Sequence, residues 1–151
     1  MLSRVINNAY TESLIDIQVK NSAGEDMREG VWVSPTEVHE LSGSRGTANF
    51  LLKWVRDAKH EASLNVQQIK GVTRSFTSED VDYVPIVAFE CRGMEPIDWM
   101  PDAGFIIKSN SGQIFTDVDL SEKEWADYDE KSGDSVSVMN LEWIFRVHRE
   151  K

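Results

Sequence analysis

The clearest indication of the fold class comes from residues 89–129, FECRGMEPIDWMPDAGFIIKSNSGQIFTDVDLSEKEWADYD. Within this stretch, two apolar segments, 105–107 and 113–118, flank the polar segment 109–112. Apolar, β-branched and aromatic residues on both sides of a short polar, glycine-bearing segment are typical of a β-hairpin. We therefore predict an antiparallel strand pair at the centre of this stretch.

The rest of the stretch gives two further predictions. Its two prolines lie in residues 93–102, and proline removes a backbone donor, so we expect this segment to be largely irregular. Ser121 is followed three residues later by Glu124, which is the spacing of a helix capping box. The spacing predicts a short helix over residues 121–127.

Outside this stretch, the hydrophobic pattern also indicates strands. Ile15, Ile17 and Val19 alternate with polar residues, and a period of two is typical of a half-buried strand. Further segments rich in β-branched and aromatic residues are 31–33, 64–69, 83–91 and 136–147. No segment has a sustained period of 3.6 residues, so we predict an all-β fold.

The chain shows a weak internal similarity between residues 52–56 and 141–146. This similarity predicts two similar antiparallel β halves, derived by duplication and packed into one compact unit. The predicted organisation is an N-terminal arm, a first β half and an acidic second β half, at residues 1–11, 12–76 and 77–151.

The composition excludes several classes of partner. The 151 residues include 16 Lys and Arg but 26 Asp and Glu, so the net charge is -10. Such a surface repels phosphate backbones and anionic lipids, so we expect neither nucleic acid nor membrane as a partner. We expect a monomer that binds a protein, with basic proteins favoured by the charge. No apolar run approaches the roughly 20 residues of a membrane-spanning helix.

The single cysteine indicates a cellular compartment. One cysteine, Cys91, cannot form an internal disulfide, and disulfides are rare in reducing compartments. We therefore predict a cytoplasmic protein, with the nucleus as a second compartment.

The central stretch also resembles a known family. The residues that match it include residues 89–93, 95–96, 104–105, 111–112, 117–120 and 127–131, together with the earlier loop 43–49. On these residues the chain resembles the CXXC motif-containing zinc-binding protein family. The resemblance implies a mostly β protein of two similar halves, in which two CxxC pairs of the first half hold zinc.

At the positions where the family places its zinc ligands, this chain has other residues. The resemblance puts the first pair on Lys20 and Ala23 and the second on Trp54 and Asp57. A structural zinc site needs four ligands such as thiolate or imidazole, and only Asp57 could contact a metal. We therefore expect no zinc and no other cofactor, with packing by Trp54 and Ala23 in place of the metal.

Other candidate metal and thiol sites have weaker support. His39, His60 and His148 could form a substitute metal site with Asp57, but their spacing matches no ligand motif. Cys91 could be a reactive thiol, but Arg92 should point to the opposite face of the strand. We favour surface histidines and a buried structural cysteine.

The acidic run in the second half is the candidate interaction surface. The segment beginning at Asp117 starts like a calcium loop, but Glu122 and Tyr128 occupy the positions of the required glycine and glutamate. The acidic run is then either a solvated face or a patch that binds a basic partner. The candidate partner-binding residues are Trp99, Met100, Asp117, Asp119, Glu122, Trp125, Asp127 and Asp129. For Trp99, a position in the core is the alternative.

A second candidate feature is the loop that contains Arg45 and Gly46. Its glycines do not have the spacing of a phosphate-binding loop. We predict a structural loop in which Arg45 pairs with a carboxylate of the acidic half.

Three functions are compatible with these residues. The favoured one is a non-enzymatic binding or adaptor protein, a metal-free divergent member of the zinc-binding family. The first alternative is a metal-handling protein with a weak site without cysteine. The alternative with the least support is a thiol-dependent enzyme that uses Cys91. We predict no catalytic and no cofactor-binding residue.

Overall fold

The computed structural model of the chain describes residues 4–6, 14–43 and 45–149, with the backbone alone for residues 4–6. The described residues form only β-strands, turns and irregular segments, which confirms the all-β prediction. The strands are β1 (Arg4–Ile6), β2 (Ile15–Asn21), β3 (Met27–Val33), β4 (His39–Glu40), β5 (Thr47–Ala48), β6 (Phe50–Leu52), β7 (Ala62–Gln67), β8 (Phe76–Thr77), β9 (Ala88–Arg92), β10 (Met94–Trp99), β11 (Phe105–Lys108), β12 (Ile114–Val118), β13 (Trp125–Asp129) and β14 (Asp134–Val138). No helix in these ranges is long and apolar enough to cross a membrane.

The strands form several small antiparallel sheets. Three larger sheets have the orders β12-β11-β1-β8, β10-β2-β3 and β6-β7-β9, and β4-β5 and β13-β14 are two-stranded. The predicted hairpin is confirmed, because β11 pairs with β12 across the predicted turn.

Two hydrophobic clusters lie between these sheets. The first contains the inward residues of β2, Ile15, Ile17 and Val19, together with buried residues of β3, β6, β7 and β10. The second contains buried residues of β11, β12 and β14. Trp99, at the end of β10, packs against both clusters. The period of two in β2 therefore has the predicted cause, since one face of the strand lies in the core.

The predicted helix over residues 121–127 is wrong. The Asp119 carboxylate accepts a hydrogen bond from the Ser121 N–H at 2.9 Å, so the backbone amide that would begin the helix is already bonded in a turn. Lys123 has a φ of 62°, which a right-handed helix excludes. The chain then enters β13 at Trp125.

The expected irregular segment over residues 93–102 is also wrong for most of its length. β10 pairs with β2, and the register shifts between Pro96 and Asp98. A bulge at this point lets the strand tolerate proline, because one residue is left outside the regular ladder. Pro96 therefore marks an irregularity inside a strand, whereas Pro101 lies beyond its end.

Two predicted strands are shorter than expected. Of residues 83–91, only those from Ala88 onward lie in β9. The predicted strand 136–147 ends at Val138, and Asn140 turns the chain with a φ of 54°. Beyond that turn the apolar pattern reflects a different contact, since the Trp143 indole packs against Trp99 at 5.3 Å.

The strands do not separate along the predicted halves. Residues 4–6 of the predicted arm form β1 between β11 and β8, and the rest of the arm lies outside the described residues. β2 pairs with β10, and β7 pairs with β9, so strands from both sides of residue 77 share sheets. The internal duplication and the division into halves stay predictions.

Candidate binding face and degenerate metal position

Three loops meet at the backbone carbonyl of Gly93, a place we call the Gly93 junction. The Trp54 indole N–H donates to this oxygen at 2.9 Å, and the Ser22 N–H donates to it at 3.4 Å. Gly93 has a φ of +73°, and a Cβ there would lie 3.2 Å from the Cβ of Ala62. Both the positive φ and the short distance favour glycine at this position. The two hydrogen bonds to its carbonyl join the β9–β10 turn to the β2–β3 turn and the β6–β7 loop.

The residues around the Gly93 junction do not fit zinc. The Trp54 ring packs against the first cluster, and the Arg28 guanidinium carbon lies 6.0 Å from the ring centroid. Ala23 is exposed and its N–H bonds to the Asn21 side chain at 3.0 Å, while Asp57 is exposed. A lysine, an alanine, an indole and one carboxylate do not provide the thiolate or imidazole ligands of a structural zinc site.

The described residues also include no group of substitute metal ligands. Across residues 14–43 and 45–149, no three His, Cys, Asp or Glu side chains form a group that could hold a metal ion. His39, His60 and His148 are all exposed, and the imidazole of His39 lies 3.9 Å from Glu37.

Cys91 lies half-buried in β9. Burial first, and the nearby carboxylates of Glu90 and Glu95 second, raise the pKa of the Cys91 thiol to about 11. The thiolate is the nucleophilic form, and a raised pKa keeps this thiol mainly protonated near neutral pH. The environment agrees with the structural interpretation of Cys91.

A carboxylate that the sequence did not single out holds the loop of Arg45 and Gly46. The Ser42 N–H and hydroxyl both donate to the Glu61 carboxylate, at 3.0 and 2.7 Å, and these bonds lower the pKa of Glu61. The Gly46 carbonyl accepts from the Leu41 N–H at 3.0 Å. Arg45 is exposed and forms no ion pair with the described residues, so the expected pairing with the acidic half is absent there.

The predicted acidic residues separate into an exposed set and a buried one. Asp117, Asp119, Glu122 and Asp127 are exposed, and none forms an ion pair within the described ranges. Trp125 is half-buried and packs edge-to-face on Phe115, with ring centroids 5.2 Å apart. We call the exposed carboxylates Asp117, Asp119 and Asp127 the acidic face.

Asp129 does not belong to the acidic face, because its residue is only 1% exposed. Its carboxylate accepts hydrogen bonds from the Ser111 hydroxyl at 2.6 Å and from the Lys131 N–H at 2.9 Å. Hydrogen bonds from the hydroxyls of Ser109 and Ser111, followed by that from the Ser132 N–H, hold the pKa of Asp129 far below its usual range. Asp129 therefore joins the β11–β12 turn to the β13–β14 turn.

Trp99 and Met100 have different environments. Trp99 is half-buried and makes edge-to-face contacts with Phe105 at 5.8 Å and Trp143 at 5.3 Å. Met100 is 39% exposed. Trp99 joins the two clusters, as the core alternative predicts, and only Met100 of this pair offers an exposed apolar side chain.

The fold defines an all-β protein of small antiparallel sheets around two cores. The chain belongs to the family described as CXXC motif containing zinc binding protein, eukaryotic, whose model matches residues 6–146. It is 34% identical over 122 residues to the CXXC motif containing zinc binding protein of Rattus norvegicus. The aligned residues cover 80% of this chain and 74% of that protein. This membership confirms the resemblance found in the sequence.

Two solved structures are similar over most of the chain. A hypothetical protein from Plasmodium falciparum matches with a TM-score of 0.85 and 30% identity, covering 93% of this chain and 88% of that one. The crystal structure of C1orf123 matches with a TM-score of 0.78 and 28% identity, covering 91% and 86%. The family name contains a CxxC motif that a chain with a single cysteine cannot form.

Proposed function

We propose that this chain is a non-enzymatic binding protein that folds without the zinc of its family and recognises a basic protein partner through its acidic face. The raised pKa of the Cys91 thiol argues against thiol chemistry. Within the part of the chain that the structure describes, the exposed histidines and Asp57 do not form a group that could hold a metal ion, so no observation there favours a metal-handling role. The single cysteine supports a reducing compartment such as the cytoplasm.

The observation that supports this proposal most directly is the acidic face itself. Asp117, Asp119 and Asp127 are exposed: Asp117 lies in β12, Asp119 directly follows β12, and Asp127 lies in β13, which belongs to a different sheet. Asp127 pairs with Val136 of β14, and the Asp119 carboxylate is held by the Ser121 N–H. Asp117 lies at a register shift of β12, where its φ is 50°. Fixed carboxylates that no cation of the described chain neutralises attract a positively charged surface and favour its association.

The first test replaces the three carboxylates of the acidic face by amides, in the variant Asp117→Asn, Asp119→Asn, Asp127→Asn. We expect binding of a pentalysine peptide to weaken about fivefold at low ionic strength, because each exposed charge pair contributes about 0.3 kcal/mol. Binding is measured by titration of 15N-labelled protein in NMR.

A matched variant controls for net charge. Glu25→Gln, Glu29→Gln, Glu40→Gln removes the same number of exposed carboxylates from the first half of the chain, and we expect a loss of less than about twofold, since distant charges are screened. Equal weakening in both variants would show that only the total charge matters, and the acidic face would then be rejected as the binding surface.

A second test concerns zinc. Protein purified without an affinity tag should contain far less than one zinc atom per chain, and a chelator should leave its melting temperature unchanged. The physical reason is that Trp54 and Gly93 make a direct hydrogen bond where the family resemblance places the metal. Stoichiometric zinc, together with a lower melting temperature after chelation, would contradict the proposal, because a structural zinc contributes strongly to folding.

A further inference from the structure

A groove lies on the surface where the β12–β13 connection meets the segment after Asn140. Its larger hollow, of about 350 Å³, is lined by Glu122, Lys123, Glu124, Asn140, Leu141 and Glu142. An adjoining hollow is lined by Tyr83 and Trp143 and shares Lys123, Leu141 and Glu142 with the first. Three carboxylates and two aromatic rings thus surround one lysine side chain.

Both aromatic rings already contact a cation of the same chain. The Lys123 ammonium lies 5.3 Å from the centroid of the Trp143 ring, and the Arg146 guanidinium carbon lies 5.9 Å from that of the Tyr83 ring. These distances are within the range in which an aromatic face attracts a cation. The rings of this groove are therefore oriented for cations.

The aromatic wall is fixed, whereas the cation in front of it is exposed. The Trp143 N–H donates to Asp98 at 2.9 Å, and its ring packs edge-to-face on Trp99. The backbone of Lys123 is also held, since its carbonyl accepts from the Leu141 N–H at 3.0 Å. Lys123 is exposed, so its four-carbon side chain can move away from the Trp143 ring without a change in the fold.

We propose that this groove binds the ammonium group of a lysine side chain from a protein partner, and that Lys123 is an intramolecular occupant which the partner displaces. The Trp143 ring would contact the ammonium, and the carboxylates of Glu122, Glu124 and Glu142 would compensate its charge. This inference rests on the proposed function and adds to it the position of one lysine of the basic partner.

The test compares two lysine substitutions of equal charge. Lys123→Ala removes the occupant of the groove, whereas Lys131→Ala removes an exposed lysine of the same half that is not among the residues lining the groove. We expect pentalysine to bind about two- to fivefold more tightly to Lys123→Ala. This change in affinity corresponds to the free energy of one exposed cation–π contact. Lys131→Ala should change the affinity by less than about twofold, since it changes only the charge.

The site of binding is read from the indole N–H resonance of Trp143 in NMR, assigned with the variant Trp143→Phe. Pentalysine should shift this resonance, and a fully acetylated peptide should not. If the two lysine substitutions have equal effects on affinity, or if the Trp143 resonance does not move, the proposal that the groove binds a lysine ammonium is wrong.

Tyr83 provides an independent comparison that does not alter the charge. Tyr83→Leu should weaken binding of pentalysine about two- to fivefold, whereas Tyr83→Phe, which keeps the ring and loses only the long hydrogen bond from the hydroxyl to Glu142 at 3.4 Å, should not. If Tyr83→Phe weakens binding as much as Tyr83→Leu, the aromatic ring is not the recognising group and the groove is overturned.

The two proposals fail separately. If the amide variant of the acidic face weakens binding but Lys123→Ala behaves like Lys131→Ala, the acidic face stands and the groove is overturned. If Lys123→Ala alone strengthens binding and the amide variant has no effect, the groove stands and the acidic face is overturned.

Discussion

Replacement of Trp54 by leucine is expected to lower the free energy of unfolding by about 2–3 kcal/mol. Leucine loses the hydrogen bond from the indole N–H to the Gly93 carbonyl and part of the packing against the first cluster. It also loses the contact with the Arg28 guanidinium. Urea denaturation at neutral pH measures the difference, and the result should be the same with and without a chelator.

Two control variants separate these contributions. Trp54→Phe keeps most of the packing but not the hydrogen bond, and should cost about 1 kcal/mol. Trp32→Leu changes a tryptophan that is 44% exposed and whose indole N–H, unlike that of Trp54, makes no hydrogen bond with a described residue, and should cost less than either. If Trp54→Leu and Trp32→Leu were equally stable, the Gly93 junction would have no special part in stability.

Asp129→Asn is expected to reduce stability at pH 7 by more than any substitution of an exposed carboxylate, with a fall of several degrees in melting temperature. An amide can still accept from the Lys131 N–H, but it replaces the carboxylate oxygen that accepts from the Ser111 hydroxyl at 2.6 Å. Hydrogen bonds to a charged group are stronger than those to a neutral one. Asp134→Asn, an exposed partner opposite Asp129 in the β13–β14 register, is the matched control.

The pH dependence of this difference has a definite sign. The pKa of Asp129 in the folded protein lies below the ordinary value of 3.8, so the folded state binds its proton less readily than the unfolded state. The stabilisation is therefore complete above the ordinary value and is lost as the pH falls through it toward the folded pKa. Urea titrations at pH 7 and pH 3 should show the gap between wild type and Asp129→Asn becoming smaller at pH 3. A gap that is independent of pH would show that the Asp129 charge contributes nothing.

Local patterns predicted the parts of the fold that depend on neighbouring residues. The period of two in β2 and the polar turn between β11 and β12 are visible in short windows of sequence, and both elements are present. The capping-box pattern at Ser121 failed because the side chain of Asp119 bonds the same backbone amide in a different turn. Pro96 of β10 led to a wrong prediction because a strand can contain proline at a bulge.

The candidate site was predicted less completely, because its contacts join residues far apart in sequence. Trp54 packs against the first cluster as the sequence predicts, but its hydrogen bond to Gly93 spans 39 residues. The expected packing of Ala23 is wrong, because Ala23 is exposed. The groove around Lys123 depends on Trp143 and Tyr83, which no motif connects to it. The acidic run was visible, but the burial of Asp129 depends on two turns that meet only in the folded protein.

The pairing of β2 with β10 also has a consequence for how the chain folds. β2 and β3 are neighbours in sequence and can form a hairpin early, but the other edge of β2 is completed only by residues 94–99. Closing long loops slows folding, and an open strand edge can pair with other chains. During synthesis, the ribosome must release more than half of the chain before β2 is protected on both sides. Until then, β2 has an unpaired edge that can bind to a strand of another chain.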